Sequence, residues 1–189
     1  TSERQTFHTD SADVVGLLCI RQAKEGGTSL LVSVETIYNQ IQLRSPRLVS
    51  HLFKPIATDR RGEVPEGAEP FFEIPVLNWY KGYLTAMYQR QYIDSAQQFS
   101  GAKKLTKDQI EALDCFDRVS NESGLYFSME LEPGDMQFVH NHSHLHDRTE
   151  FVDWPEPDRS RHLMRLWLSI NGDRPLPKCF KQRYGSIKI

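Results

Sequence analysis

Short apolar runs separated by polar, turn-rich connections recur along the chain, and the period of each run predicts an element. Val14-Val15-Gly16-Leu17-Leu18-Cys19-Ile20 is apolar and rich in branched residues, which predicts a buried strand with Cys19 as a small core residue. Glu25-Gly26-Gly27 is a turn signal, and residues 29–34 predict a second strand. The period then lengthens. Ile37, Tyr38 and Ile41 share a face of a helix over 34–43, Pro46 ends it, and 47–53 is a second short helix. Residues 58–70 are polar and hold Gly62, Pro65, Gly67 and Pro70, so they read as a loop that could act as a lid. Segments 71–79 and 83–88 read as a hairpin around Lys81-Gly82, with a Ser- and Gln-rich loop from Tyr92 onward.

The second half is more regular. Thr106-Lys107-Asp108-Gln109 is a capping box, and Ile110, Leu113 and Phe116 follow at helical spacing, giving a helix over 106–119. Strands are expected at 125–131 and 136–139, on either side of the turn Pro133-Gly134-Asp135. A further strand covers 163–170, with Leu163, Arg165, Trp167 and Ser169 on one face and Met164, Leu166 and Leu168 on the other. Short strands with irregularly inserted helices exclude a doubly wound sheet. They predict a mainly β fold, a distorted barrel or jelly roll decorated by helices.

Composition narrows the class. Of 189 residues, 39% are hydrophobic and 25% charged, the balance of a globular domain. With 23 Lys+Arg against 25 Asp+Glu, the net charge of −2 supplies no field for a nucleic-acid partner. No apolar run reaches the ~18–20 residues of a membrane span, and no basic start with an apolar core follows Thr1. Three scattered cysteines without a CxxC are not a disulfide framework, so a reducing, cytoplasmic setting is expected.

The candidate chemistry lies in the histidines. Four of the seven sit in His140-Asn141-His142-Ser143-His144-Leu145-His146, and alternation puts all four on one side if the run is a single extended strand. Exposed or hydrogen-bonded core histidines account equally well for any one of them, but the run as a whole points to metal. Near the start, His8-Thr9-Asp10 places a histidine and a carboxylate two residues apart. In an extended segment they face the same way, and with one distant histidine they would make a 2-His-1-carboxylate facial triad for Fe(II).

The order of motifs resembles the taurine-dioxygenase-like family of Fe(II)/2-oxoglutarate-dependent oxygenases. The residues that carry the resemblance are His8-Thr9-Asp10, Gly26-Gly27-Thr28-Ser29, Gly134-Asp135, Asn141, Leu145-His146-Asp147-Arg148 and Arg161-His162-Leu163-Met164-Arg165. It implies a double-stranded β-helix (jelly-roll) core with metal ligands His8, Asp10 and His146. His140, His142 and His144 would flank the site or face solvent. It also implies Fe(II), 2-oxoglutarate and O₂ as cofactor and cosubstrates. Oxidation of a C–H bond of a small organic molecule would release succinate and CO₂. Arg161 would pair with the far carboxylate of 2-oxoglutarate, helped by Ser29 or Thr28. Arg165 could share that role, bind an acidic substrate, or form an ion pair with Asp135 or Glu150. Arg90 and Tyr92, with Trp79, Tyr80 and Tyr88, are substrate-wall candidates. Family members carry a substantial segment before H-x-D. Residues 1–189 are therefore expected to be one oxygenase-like domain, the C-terminal portion of a longer polypeptide, or one lacking N-terminal strands and completed by a partner. No membrane or nucleic-acid partner is expected, and self-association is left open. Two other readings compete: a non-catalytic metal-binding module on the same fold, and a zinc hydrolase built on the 140–146 histidines.

Overall fold

The computed structural model describes residues 2–184. In chain order its strands are β1 (Gln5–His8), β2 (Val14–Arg21), β3 (Glu25–Gly26), β4 (Ser29–Ser33), β5 (Pro55–Asp59), β6 (Phe71–Pro75), β7 (Leu77–Tyr80), β8 (Tyr83–Ala86), β9 (Tyr126–Met129), β10 (Met136–His140), β11 (His144–Arg148), β12 (Phe151–Val152) and β13 (His162–Leu168). The helices are α1 (Val34–Arg44), α2 (Pro46–Leu52), α3 (Arg90–Ala96), α4 (Lys107–Ser120) and α5 (Lys181–Tyr184).

Two antiparallel sheets make the centre. The larger runs β1-β11-β4-β9 and the smaller β10-β2-β13. Successive side chains of a strand face opposite ways, and here that alternation separates packing from chemistry. Phe7, Leu30, Val32 and Leu145 are buried in the main core with Ile37, Ile41, Leu48, Leu113 and Phe116 of α1, α2 and α4. The intervening His8, Ser29 and His146 belong to the other face, toward the smaller sheet, where Ser29 Oγ donates to Gln137 Oε1 of β10 at 3.0 Å. This is the expected jelly roll with inserted helices. The outer face of the smaller sheet stays apolar and open, with Met136, Phe138, Met164 and Leu166 all exposed.

The helices begin where their caps dictate. Ser33 accepts from Thr36 N at the start of α1. At α4, Thr106 and Gln109 bond reciprocally as the capping box predicts. Pro46 opens α2 as well as following α1, because its missing N–H costs nothing in a first turn.

Four expectations are corrected. Segment 71–79 is not one arm of a hairpin. Phe71–Pro75 pairs instead with β5, and only β7 and β8 close around Lys81-Gly82, where both residues have positive φ. Thr58 and Asp59 belong to β5, not to the following loop. The segment from Tyr92 is helical rather than loop: Ile93 and Ala96, three apart, are its buried positions, and its exposed polar face had hidden the period. Gly26, read as a turn residue, also forms a short bridge to Phe151.

Removing the Thr106 hydroxyl leaves the Gln109 amide without its cap. Thr106→Ala is expected to lower stability by about 1 kcal/mol, read as a lower urea midpoint at unchanged slope.

Candidate active site

Strand pairing brings the histidines together. β1 and β11 are antiparallel, with His8 directly opposite His146. Their rings stand 4.2 Å apart between centroids. Asp10 follows His8 by two residues, with its carboxylate oxygens 3.8 Å from His8 Nε2 and 3.7 Å from His146 Nε2. One donor atom from each of the three lies within 4.8 Å of the others. His8 Nδ1 sits 2.8 Å from the Thr6 carbonyl, which can only accept, so Nδ1 carries the proton and Nε2 presents its lone pair. His146 Nδ1 is buried and has no hydrogen-bond partner among the described residues. Burial, then the neighbouring His8 and Arg165, holds the His146 pKa well below the ordinary imidazole value, so its ring is neutral and able to ligate. Two imidazoles and a carboxylate converging on one point fit a divalent iron.

Asn141 fixes the segment that carries Asp10. It is fully buried, its Oδ1 accepts from Asp10 N at 2.8 Å, and its Nδ2 donates to the carbonyls of Asp10 and Ala12 at 2.6 and 2.8 Å. Trp167 Nε1 donates to Asp10 Oδ2 at 2.8 Å, and Arg165 Nη1 lies 3.4 Å from the same oxygen. The role of Trp167 went unread in the sequence, although alternation along 163–170 had already put it on the face of Arg165. The partner of Arg165 is Asp10, not Asp135 or Glu150.

The other three histidines are not part of this group. The run 140–146 is no single strand: His140 ends β10, residues 141–143 turn, and His144 opens β11 in the other sheet. His142 is fully buried against Asp13 at 2.9 Å, His140 reaches Asp173 at 3.1 Å, and His144 Nδ1 is 2.9 Å from Ser143 Oγ. Asp13, His142 and Asp173 bring their donor atoms equally close, though His142 and Asp13 are already joined by a hydrogen bond.

Two cavities flank the histidine–aspartate cluster and share Arg165. One, of about 360 Å³, lies between the sheets and is lined by His146, Ser29, Arg161, Arg165 and Leu17. Arg161 is half-buried, makes no ion pair among the described residues, and stacks near Phe151 at 5.1 Å. Burial, and then Arg148, lowers its pKa. Gly27 has φ +77°, and a Cβ there would come within 2.9 Å of Arg161 Nε, so the glycine makes room for the guanidinium. Ser29 reaches this cavity; Thr28 does not line it, and its backbone N–H bonds Thr149 Oγ1.

The other cavity, about 440 Å³, is lined by His8, Asp10, Arg165, Trp167, Arg60 and Tyr92, among others. Of the expected substrate-wall residues, Tyr92 is among those lining this cavity. Arg90 is not: its guanidinium is held by Asp94, Asp114 and Asp117 and does not line the cavity. Trp79 is exposed on the β7–β8 hairpin, Tyr80 lines neither cavity, and the buried Tyr88 hydroxyl donates to Asp117.

Comparison with known proteins identifies the family and the fold. Residues 1–167 match the family model described as taurine catabolism dioxygenase TauD, TfdA family. FR-33289 synthase of Streptomyces rubellomurinus (strain ATCC 31215) is 35% identical over 184 residues, which are 94% of this chain and 53% of that protein. Taurine hydroxylase-like protein SAT17 of Stachybotrys chartarum is 32% identical over 163 residues, 85% of this chain and 41% of that one. The chain thus spans about half the length of the curated relatives it matches. Among solved structures, asparagine oxygenase in complex with Fe(II), 2S,3S-3-hydroxyasparagine and succinate superposes with a TM-score of 0.67 at 23% identity, over 88% of this chain and 50% of that one. The non-heme iron oxygenase OrfP in complex with Fe and alpha-ketoglutaric acid gives 0.63 at 16% identity, over 89% and 50%. These likenesses establish the fold.

Replacing Asn141 removes three hydrogen bonds and strands two carbonyls and an amide. Asn141→Ala is expected to lose about 2–4 kcal/mol of stability, measured by urea unfolding. A loss under half of the lower bound would show that the clamp is dispensable.

Proposed function

We propose, from the premise that the chain belongs to the taurine catabolism dioxygenase TauD, TfdA family, that it carries the Fe(II)- and 2-oxoglutarate-binding core of a dioxygenase. Its reaction would oxidise a C–H bond of a small organic molecule and release succinate and CO₂. The observation that carries this reading is the convergence of His8, Asp10 and His146 between two cavities.

In this reading His8 Nε2, His146 Nε2 and an Asp10 oxygen hold Fe(II), which when bound supplies the activation of O₂ that no side chain can perform. The chain's own residues do the rest. His8 is oriented by the Thr6 carbonyl. Asp10 is held by the Trp167 indole, which fixes the carboxylate's direction. Arg161, a guanidinium without an ion pair among the described residues, receives the far carboxylate of 2-oxoglutarate in the inter-sheet cavity. Ser29 adds its hydroxyl there, a role better placed on Ser29 than on Thr28. Leu17 and Val15 wall that cavity with apolar surface and keep water from the cosubstrate. The organic substrate enters the opposite cavity, beside His8, Asp10 and Tyr92.

The competing readings find less support. A zinc hydrolase on residues 140–146 requires those histidines to act together, whereas His146 faces His8 and Asp10, away from His140 and His142, which lie beside Asp173 and Asp13. A non-catalytic module leaves Arg161 and its glycine-made space without a purpose. Among the described residues no helix is long and apolar enough to cross a membrane.

Anaerobic titration of the protein with Fe(II) and 2-oxoglutarate tests this directly. A weak visible charge-transfer band is expected in wild type. Arg161→Ala should weaken 2-oxoglutarate about 100-fold, the usual loss when one side of a buried charge pair is removed, and His146→Ala should abolish the band. A folded wild-type protein with no band would sink the reading.

A further inference from the structure

A second group of metal-binding side chains lies outside both cavities. Asp13 stands just before β2, His142 in the turn between β10 and β11, and Asp173 beyond the end of β13. One donor atom from each lies within 4.8 Å of the others. None of the three lines the cavities beside His8, Asp10 and His146. His142 is fully buried, packs 6.3 Å from the Phe180 ring between centroids, and has Nε2 2.9 Å from Asp13 Oδ1. Burial holds its pKa below the ordinary imidazole value, which favours the neutral, ligating form. The Asp13 and Asp173 side chains keep 17% and 23% of their surface exposed, so an ion can enter from solvent.

The group is also oriented from outside itself. Asp13 Oδ2 accepts from Ile170 N at 2.8 Å and from Ser169 Oγ at 3.2 Å, while Oδ1 is the oxygen that meets His142. Asp173 lies 3.1 Å from His140 Nε2, and the other nitrogen of that ring is 2.7 Å from Ser143 Oγ. Outer partners of this kind aim ligands at a metal. Two carboxylates drawn this close repel one another, and a neutral His142 has one N–H, enough for one of them. A divalent cation would satisfy both carboxylates and the imidazole together.

We infer that Asp13, His142 and Asp173 form a second, structural site for a divalent ion such as Zn(II), with His140 orienting Asp173. An imidazole among the ligands favours Zn(II) over an oxygen-preferring ion such as Mg(II). The ion ties the segment after β13 to the turn that holds Asn141, and through Asn141 to the backbone of Asp10. It acts as a staple between segments distant in sequence, stabilising the folded chain because the unfolded chain has no such site. This inference is independent of the dioxygenase reading.

Metal-free protein is titrated with Zn(II) by calorimetry, with Mg(II) as control, and bound zinc is counted after desalting. Zn(II) can also occupy the His8, Asp10 and His146 group, so the count is made in wild type, His146→Ala, Asp173→Asn and the double variant. Zinc is expected to stay bound in His146→Ala at one equivalent, and to bind the double variant at least about ten-fold more weakly. Zn(II) should also raise the urea midpoint of His146→Ala, and Asp173→Asn should remove that rise. Asp13→Asn in the same background covers the case in which the Asp173 variant does not fold. A single equivalent in wild type that survives His146→Ala and is lost on substitution of Asp173 or Asp13 would keep the inference. His146→Ala protein that binds no zinc, leaving two histidine–carboxylate pairs only, would overturn it. So would zinc that binds equally well after substitution of whichever of Asp173 and Asp13 folds, the mark of an adventitious ion only.

Discussion

The register of β1 against β11 is the constraint on which the site depends. In an antiparallel pair, directly opposed residues stand side by side on one face, and here those residues are His8 and His146. A slip of one residue would send His8 to the helix-packed side and bring Phe7 into the cavity. Phe7 and Leu145 sit in the main core, on the face that α1, α2 and α4 cover. The same burial that stabilises the sheet therefore holds the histidine pair in place: hydrophobic packing on one side fixes the side chains on the other.

Charge is distributed unevenly across the molecule. Arg90 is surrounded by three carboxylates and serves the fold. Arg161 and Arg60, one in each cavity, have no ion pair among the described residues. Side chains that stabilise a fold find their counter-ions within it. A guanidinium left without one in low-dielectric surroundings costs the folded protein stability.

Much of this was legible in the sequence because the signals are local or ordered. The spacing of His8 and Asp10, the capping box at Thr106, the alternation of 163–170 and the run of motifs around Asn141 and His146 each have a short-range physical meaning. What escaped reading is long-range or masked by polarity. The histidine run looks like one strand, yet residues 141–143 turn because Asn141 is engaged 131 residues away by Asp10. Arg60 was hidden in a polar stretch whose first residues pair with β6, a partnership no local period reveals. The helix α3 was missed because two buried residues in seven give little amphipathic contrast. Trp167 was placed on the correct face, but its bond to Asp10 exists only after β13 has paired with β2.

The Asn141 clamp has one more consequence. An amide carries no charge and does not titrate at any ordinary pH, and it is shielded from salt by complete burial. The spacing between the Asp10 segment and the turn leading to His146 is therefore set by a neutral brace. Changes in the medium have no handle on the frame that holds His8, Asp10 and His146 together. In the proposed iron centre, occupancy would then vary with the medium while the dimensions stay constant, as in a rigid chelator whose backbone is built before the metal arrives.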